Sequence, residues 1–534
     1  MQTDTIIVGN GPSAMILSYI LHGHLPFYSS TPPHPDPLLD AKLKHATNLL
    51  NADVETLTAH FAASRLSYST QALPVNVLLD TLVRPSVDIE ETGTTSNVEW
   101  CHTPEKAIPH LVFGFPSKPG GQWTEDPHGA SWDIQTLSYA AMLSLPGYSF
   151  GDHHKKVTGK DLPAFTRPTR REIADYFSAY PAAAQIDDVF RCGEELSGIS
   201  RTADGFYIKS HDIHCKRLVL ASGIFSEVLS PPSILQPVLQ THQTSDVPLL
   251  VVGSGFSAAD AIISANPNQK LLHIFRWSPE ERPSPLRGCH QQAYPEYSGV
   301  YRFMKKSALA SKGTINSQRP KLRRGTTTAF LESRDWDSVY EGLANVEIAS
   351  VDMEDDLARI TFRHEDGSVS SRAVRGLVYA AGRRGSLGYL ESRLREEVLG
   401  YSNSDSSAVS AQTLRAKAME DLEVAPQVYI IGSLTGDSLV RFAYGGCVYT
   451  AGHLIGEREG DRESRSTCSS SESPRPQSSS LAVMNGIDGH QVYPAESSGL
   501  TREDTAVSKV STVQTADAQS WWKTVVQMWK RFTQ

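Results

Sequence analysis

The 534-residue sequence predicts an α/β chain, and three observations carry that expectation. Thr5–Ala14 (TIIVGNGPSA) reads as a buried strand, a glycine-rich turn and the start of a helix. Pro248–Asp260 (PLLVVGSGFSAAD) repeats that order roughly 240 residues later. Two apolar stretches, Arg217–Gly223 and Leu377–Gly382, end in small residues and lie on either side of the second turn, where the chain would leave the first domain and return to it. Together these predict two Rossmann-like dinucleotide-binding domains, the second inserted in the first, with a disordered tail.

In the first turn Ile6, Ile7 and Val8 are consecutive and apolar, as in a parallel strand covered on both faces. Gly9 permits the tight turn, and Gly11 lets a pyrophosphate approach the backbone. Pro12 and Ser13 open the helix, and Ala14 is small enough for it to lie close on the strand. The helix N-terminus, running to about Leu21, would aim free N–H groups at the phosphates. Gly253, Gly255, Phe256, Ser257 and Ala258 take the same places in the second turn. One such match is a weak signal; two in one chain, each with strand and helix, are a strong one. The alternative is a pair of tight turns without a ligand.

Composition narrows the function. The formal net charge of -9 argues against a general nucleic-acid binder. No run approaches the ~18 apolar residues that span a bilayer. A strand beginning almost at Met1 leaves no room for a signal or transit peptide, so a cytoplasmic protein is expected. Cys101, Cys192, Cys215, Cys289, Cys447 and Cys468 are scattered, with neither a metal spacing nor the close redox pair of a disulfide reductase.

After the first helix a second strand is expected at Leu25–Tyr28. An acidic residue commonly ends this strand and binds ribose hydroxyls. Ser29 and Ser30 follow instead, with Ser29 and His34 as nearby polar substitutes. Helices are expected at Pro37–Leu43, Asn51–Ser64 and Val75–Val83.

Gly9–Ser13 together with His34-Pro35-Asp36-Pro37-Leu38-Leu39 resembles the oxidative-stress-induced growth inhibitor family, a branch of the flavin-containing monooxygenase-like proteins. The resemblance continues through Ala107–His110, Pro119–Trp123, Leu145–Gly147, Tyr294–Tyr297 and Gly436–Phe442, in that order. It implies an FAD- and NADPH-binding flavoprotein with the NADPH domain inserted in the FAD domain. Gly120, Gly121, Gln122 and Trp123 then look like flavin contacts: two glycines let the backbone pass a planar ring, and a Trp walls it. A surface turn with a core Trp is the other reading. The Asn that often follows this motif in flavin monooxygenases is missing from residues 124–150.

Arg170–Phe177 reads as a helix capped by Thr169. Strands are expected at Gly205–Ser210 and Arg217–Gly223, after which the chain passes to the second nucleotide domain. There Leu271–Phe275 ends in Arg276, a cation suited to a 2′-phosphate, so NADPH is expected over NADH; an exposed Arg without a ligand is the alternative. Residues 284–330 are rich in Lys and Arg and read as solvated loop and helix. Strands at Glu347–Ala349 and Ala358–Phe362 suggest a small sheet joined to Ala373–Tyr379. Finally Val428–Asp437 delivers an Asp after Gly436, before a helix at about Gly446–Gly456. By the resemblance Asp437 takes the ribityl chain of FAD, with Arg441, Gly445 and Gly446 near the flavin.

The expected domains are 1–240 and 376–456 for FAD, 241–375 for NADPH, 457–516 as a disordered low-complexity linker and 517–534 as an amphipathic helix. Trp522, Val525, Val526, Trp529 and Phe532 share a face of that helix. A membrane interface, the chain's own surface and a partner groove are equally open as its target. The resemblance implies a monooxygenase that passes one oxygen atom from O2 to a small organic substrate through a flavin hydroperoxide. An NADPH oxidase or reductase and a non-catalytic regulatory flavoprotein are the alternatives. No catalytic side chain or metal site is indicated.

Overall fold

A computed structural model describes residues 1–468 apart from 65, 67, 86–94, 126–130, 312–327 and 401–405. The linker at 469–516, the amphipathic helix at 517–534 and part of the basic stretch (312–327) lie outside these described residues.

Strand β1 (Gln2–Val8) runs into helix α1 (Pro12–Leu21) with the turn between them, as the apolar run and glycines predict. Next comes an insertion: β2 (His24–Tyr28), α2 (Pro74–Val83) and β3 (Val98–His102), with a short α-helix at Val54–Thr58 and a 3-10 turn at Phe61–Ala63 within the stretch Asn51–Ser64 expected as one helix. The chain then enters the sheet again at β4 (His110–Gly114). Helix α3 (Arg170–Ala183) starts from a full capping box, Thr169 and Glu172 satisfying each other's backbone N–H groups. Four strands follow: β5 (Phe190–Cys192), β6 (Ile199–Thr202), β7 (Gly205–Ile208) and β8 (Ile213–Leu220).

The second half begins with β9 (Leu249–Val252), α4 (Phe256–Ser264), β10 (Leu271–Phe275) and α5 (Pro295–Ser311). Then come β11 (Tyr340–Ala344), the antiparallel trio β12 (Glu347–Glu354), β13 (Leu357–Arg363) and β14 (Val369–Val374), and β15 (Leu377–Tyr379). Helix α6 (Arg415–Glu420), β16 (Glu423–Ala425), β17 (Val428–Ile430) and the long α7 (Ala443–Cys468) complete the chain.

Two parallel sheets organise these elements. The first has the order β16-β17-β8-β1-β4-β5, and its strands from β17 to β5 are parallel. The second has the order β11-β10-β9-β15, all parallel. Each has its own apolar core: Ile6, Ile7, Val112 and Val219 are fully buried in the first, Val251, Ala259 and Ile262 in the second. Both turns lie at the carboxyl ends of their strands, where open α/β sheets bind ligands.

Four expectations are corrected. Strand β2 does not neighbour β1: it pairs antiparallel with β3 in a separate two-stranded sheet. Pro26 in its middle has no N–H for a central ladder, whereas β4 is buried along its whole length and pairs Thr5–Val8 in register with His110–Phe113. Ser29 and His34 are therefore remote from the end of the strand beside β1. Ser29 accepts from the Asn97 amide and His34 is buried against Thr81. Leu377–Tyr379 pairs with Leu250–Val252, so at 376 the chain is still in the second sheet; only Ala373 and Val374 join the small antiparallel one. Helix α7 continues past Gly456: Glu457 accepts from Arg217, and Arg458 donates to the Ala107 carbonyl. Among the described residues no helix is long and apolar enough to cross a membrane.

Candidate nucleotide sites

The two glycine turns are built alike. Gly9 has φ +116°, and a Cβ there would stand 2.3 Å from the Ala221 carbonyl oxygen at the end of β8. Gly253 has φ +143°, and its Cβ would stand 2.5 Å from the Ala380 carbonyl at the end of β15. Each first glycine is thus wedged against a neighbouring strand end in a conformation that side chains avoid.

The second glycines differ from the first. Gly11 and Gly255 have extended backbones, cap α1 and α4 without any side-chain bond, and would set a Cβ in open space, with no heavy atom within 4 Å. Free volume therefore lies beside both helix N-termini, where unbonded N–H groups gather, a seat for an anion. Pro12, Ser13, Phe256 and Ser257 are half-buried on the rims of these seats, and Ala14 and Ala258 are buried against the sheets. These features fit a dinucleotide pyrophosphate at each turn.

The Gly120–Trp123 segment joins the first turn. The Gly120 amide donates to the Asn10 carbonyl (2.9 Å), and a Cβ on Gly121 would stand 3.1 Å from Gly11 Cα. Gln122 is exposed, while Trp123 packs edge-on to Phe177 with ring centroids 5.9 Å apart. Two residues missed in the sequence set this arrangement. Asn10 is buried, and its amide group donates to the Pro116 and Lys118 carbonyls, tying the loop after β4 to the turn. Gly114 leaves room for it: a Cβ there would lie 2.2 Å from the Asn10 side chain. The end of β4, where a ribose-binding carboxylate is usual, is thus a glycine pressed against Asn10. The unbroken apolar run Leu111-Val112-Phe113 just before the Gly-Gly pair was the available signal.

At the second turn Arg276 follows β10 directly, beside the strand that leads into Gly253. It is exposed and makes no ion pair or hydrogen bond among the described residues. Trp277, next to it, is held by Asn345 and faces Tyr301 at 5.4 Å.

The residues after Gly436 are held by contacts within the chain. The Asp437 carboxylate is buried and takes three internal donors: the Leu73 amide (2.8 Å), the Asn76 side chain (2.7 Å) and Arg415 (2.9 Å). Burial raises its carboxyl above the ordinary range, and Arg415 and the other donors pull against that rise. Arg441 is buried too and binds Asp80, which also takes Arg84 at 3.3 Å. Gly445 lets α7 cross α2, since a Cβ there would lie 2.2 Å from the Val75 carbonyl, and Gly446 donates to Asn76. Asp437, Arg441 and both glycines therefore fasten the helical insertion to α7. Among the described residues no cluster of three metal-ligating side chains occurs.

No family model matches the chain. It is 27% identical over 499 residues to oxidative stress-induced growth inhibitor 1 of Mus musculus, covering 84% of this chain and 94% of the relative. Human oxidative stress-induced growth inhibitor 2 is 28% identical over 359 residues, 56% of this chain and 68% of the relative. Among solved structures, a flavin-containing monooxygenase from Stenotrophomonas maltophilia is 11% identical, with a TM-score of 0.45, covering 86% of this chain and 99% of its own. A bacillithiol disulfide reductase from Staphylococcus aureus is 11% identical with a TM-score of 0.43, covering 87% of this chain and 99% of its own. The chain is a homologue of the proteins named oxidative stress-induced growth inhibitors.

Proposed function

We propose that this chain is an FAD- and NADPH-binding oxidoreductase of the monooxygenase kind, with FAD at the first turn and NADPH at the second. One observation carries the reading: two turns of matching construction, each with a wedged first glycine and an open second glycine at a helix N-terminus. Such a pair is the arrangement for handing a hydride from one dinucleotide to another.

Bound at the first turn, FAD supplies hydride acceptance and oxygen chemistry, and the chain supplies position and exclusion of water. Gly11 and the α1 N-terminus take the FAD pyrophosphate. Gly120 and Gly121 let the cofactor lie along the backbone, and the half-buried Trp123 walls one side. At the second turn Gly255 and α4 take the NADPH pyrophosphate. Arg276 pairs with the 2′-phosphate that distinguishes NADPH from NADH. The substrate is a small organic molecule that accepts one oxygen atom from O2.

A second reading, nucleotide binding without turnover, is favoured by the internal capture of Asp437 and Arg441. The deciding experiment is the visible spectrum of the purified protein, followed through anaerobic NADPH addition and then isotopically labelled O2 with thioether and amine probes. Bound flavin, faster bleaching by NADPH than NADH and label in a probe support the monooxygenase. Bleaching with all oxygen recovered as peroxide supports an oxidase. Bound flavin that neither NADPH nor NADH bleaches supports nucleotide binding without turnover, and no flavin after FAD addition overturns the FAD assignment.

A further inference from the structure

Between the two sites runs a strap that neither turn requires. Residues 132–140 and 166–171 lie side by side: Thr136 and Ala140 donate to the carbonyls of Pro168 and Thr166, and Arg170 to that of Ile134. The strap leaves the first sheet's side and docks on α5, at Tyr294-Pro295-Glu296, a motif with no place in either nucleotide seat. Arg167 is the clasp. Its Nε donates to the Thr136 carbonyl, its Nη1 to the Ala293 carbonyl and its Nη2 to Glu296, each at 2.7 Å. Both charged side chains are enclosed, at 7% and 14% exposure, and the guanidinium lies over the Tyr294 ring at 4.6 Å. The Tyr294 hydroxyl returns a bond to the Leu137 carbonyl at 2.9 Å.

Both ends of this clasp lead to a nucleotide turn. On one side Tyr297, one residue beyond Glu296, donates to Asp260 of α4 and meets Phe256 edge-on at 5.4 Å; Phe256 is the residue after Gly255. On the other side Pro168 and Thr169 follow Arg167, and Thr169 caps α3. From α3, Phe177 packs on Trp123 and Ser178 donates to the Pro119 carbonyl. The Gly120–Trp123 segment in turn rests on Gly11. A continuous chain of packed and hydrogen-bonded groups therefore joins Gly255 to Gly11, with the enclosed Arg167–Glu296 pair at its centre. An enclosed pair of opposite charges with every guanidinium nitrogen engaged admits one relative placement of its two sides, since separation strands a charge away from water.

We infer that Arg167 is a positioning residue that sets the second nucleotide turn against the first, so that binding at the two turns is coupled through it. The inference rests on the proposed assignment of FAD and NADPH to those turns. Occupancy of either seat holds its end of the chain, and the clasp passes that order to the other; the coupling is reciprocal.

The test is a binding cycle on the full chain. FAD affinity is measured by equilibrium dialysis with and without saturating NADP+, which occupies the second seat without reducing the flavin. In the wild type NADP+ tightens FAD binding about fivefold or more, and FAD tightens NADP+ binding by the same factor. In Arg167→Ala that factor falls to about one, while the affinity for FAD alone stays within about twofold. Glu296→Gln keeps the shape and the carbonyl bonds, serves if the Arg167 variant does not fold, and also lowers the factor. A purely structural role would lower thermal stability and leave the factor intact, which overturns the inference. A wild-type factor of one overturns the coupling alone; a wild type that binds no FAD overturns it together with the cofactor assignment.

Discussion

Exchanging the two glycines of the first turn separates its structural role from its binding role. In Gly9→Ala the new methyl carbon would stand 2.3 Å from the Ala221 carbonyl oxygen, 2.6 Å from its carbon and 2.9 Å from the Ser222 nitrogen, all backbone atoms of β8's end. No side chain can rotate away, so β1 and β8 must part. The φ of +116° adds about 1–3 kcal/mol of backbone strain. We expect a loss of about 3 kcal/mol or more, a large fraction of a typical domain's stability. In Gly11→Ala the methyl meets nothing within 4 Å and the backbone is extended, so only the weaker N-cap preference is lost, under about 1 kcal/mol. Its effect falls on the ligand: the methyl occupies the approach of a pyrophosphate, and FAD affinity drops at least about tenfold, ~1.4 kcal/mol. Urea unfolding of the apoprotein and flavin titration read the two quantities separately. A Gly9→Ala variant as stable as the wild type would refute the close approach. A Gly11→Ala variant that binds FAD normally would refute the phosphate seat.

Arg276→Ala removes one charge-assisted contact and weakens NADPH binding by about 2 kcal/mol, roughly 30-fold, while NADH binding is unchanged; titration of both nucleotides checks it. Asp80→Asn leaves the Arg84 and Arg441 guanidinium groups without their shared carboxylate in a site where these side chains are about 6% exposed, and costs about 3–5 kcal/mol in chemical denaturation. Burial lowers the His110 and His273 imidazoles from 6.5 to about 4. The unfolded chain takes up these protons first, so their stabilisation is complete above pH ~6.5 and declines as the pH falls toward 4, by about 2 kcal/mol each at pH 5. His110→Gln makes the fall in urea midpoint between pH 7 and 5 shallower; an unchanged slope would mean the ring is not held neutral.

The local signals and the long-range ones behaved differently. Each glycine turn is a contiguous string in which three apolar residues, a required positive φ and a small helix-facing residue are adjacent, so both turns and their helices were legible from the chain alone. The Gly-Gly-Gln-Trp segment was legible as a tight loop for the same reason. Arg276 was legible because its position at the end of a strand follows from counting along that strand.

What the chain alone could not decide was which strands meet. A strand such as Leu25–Tyr28 and one such as Leu111–Phe113 look alike over a few residues, and their place beside β1 is settled by pairing over about a hundred positions of chain. Asp437 and Arg441 show the same limit. Their partners in the fold, Asn76 and Asp80, are each 361 positions away. Alternation, turn chemistry and residue type are properties of neighbours in sequence and determined the two glycine turns. Partner choice for buried strands and charges is a property of neighbours in space, and only the tertiary structure decided it.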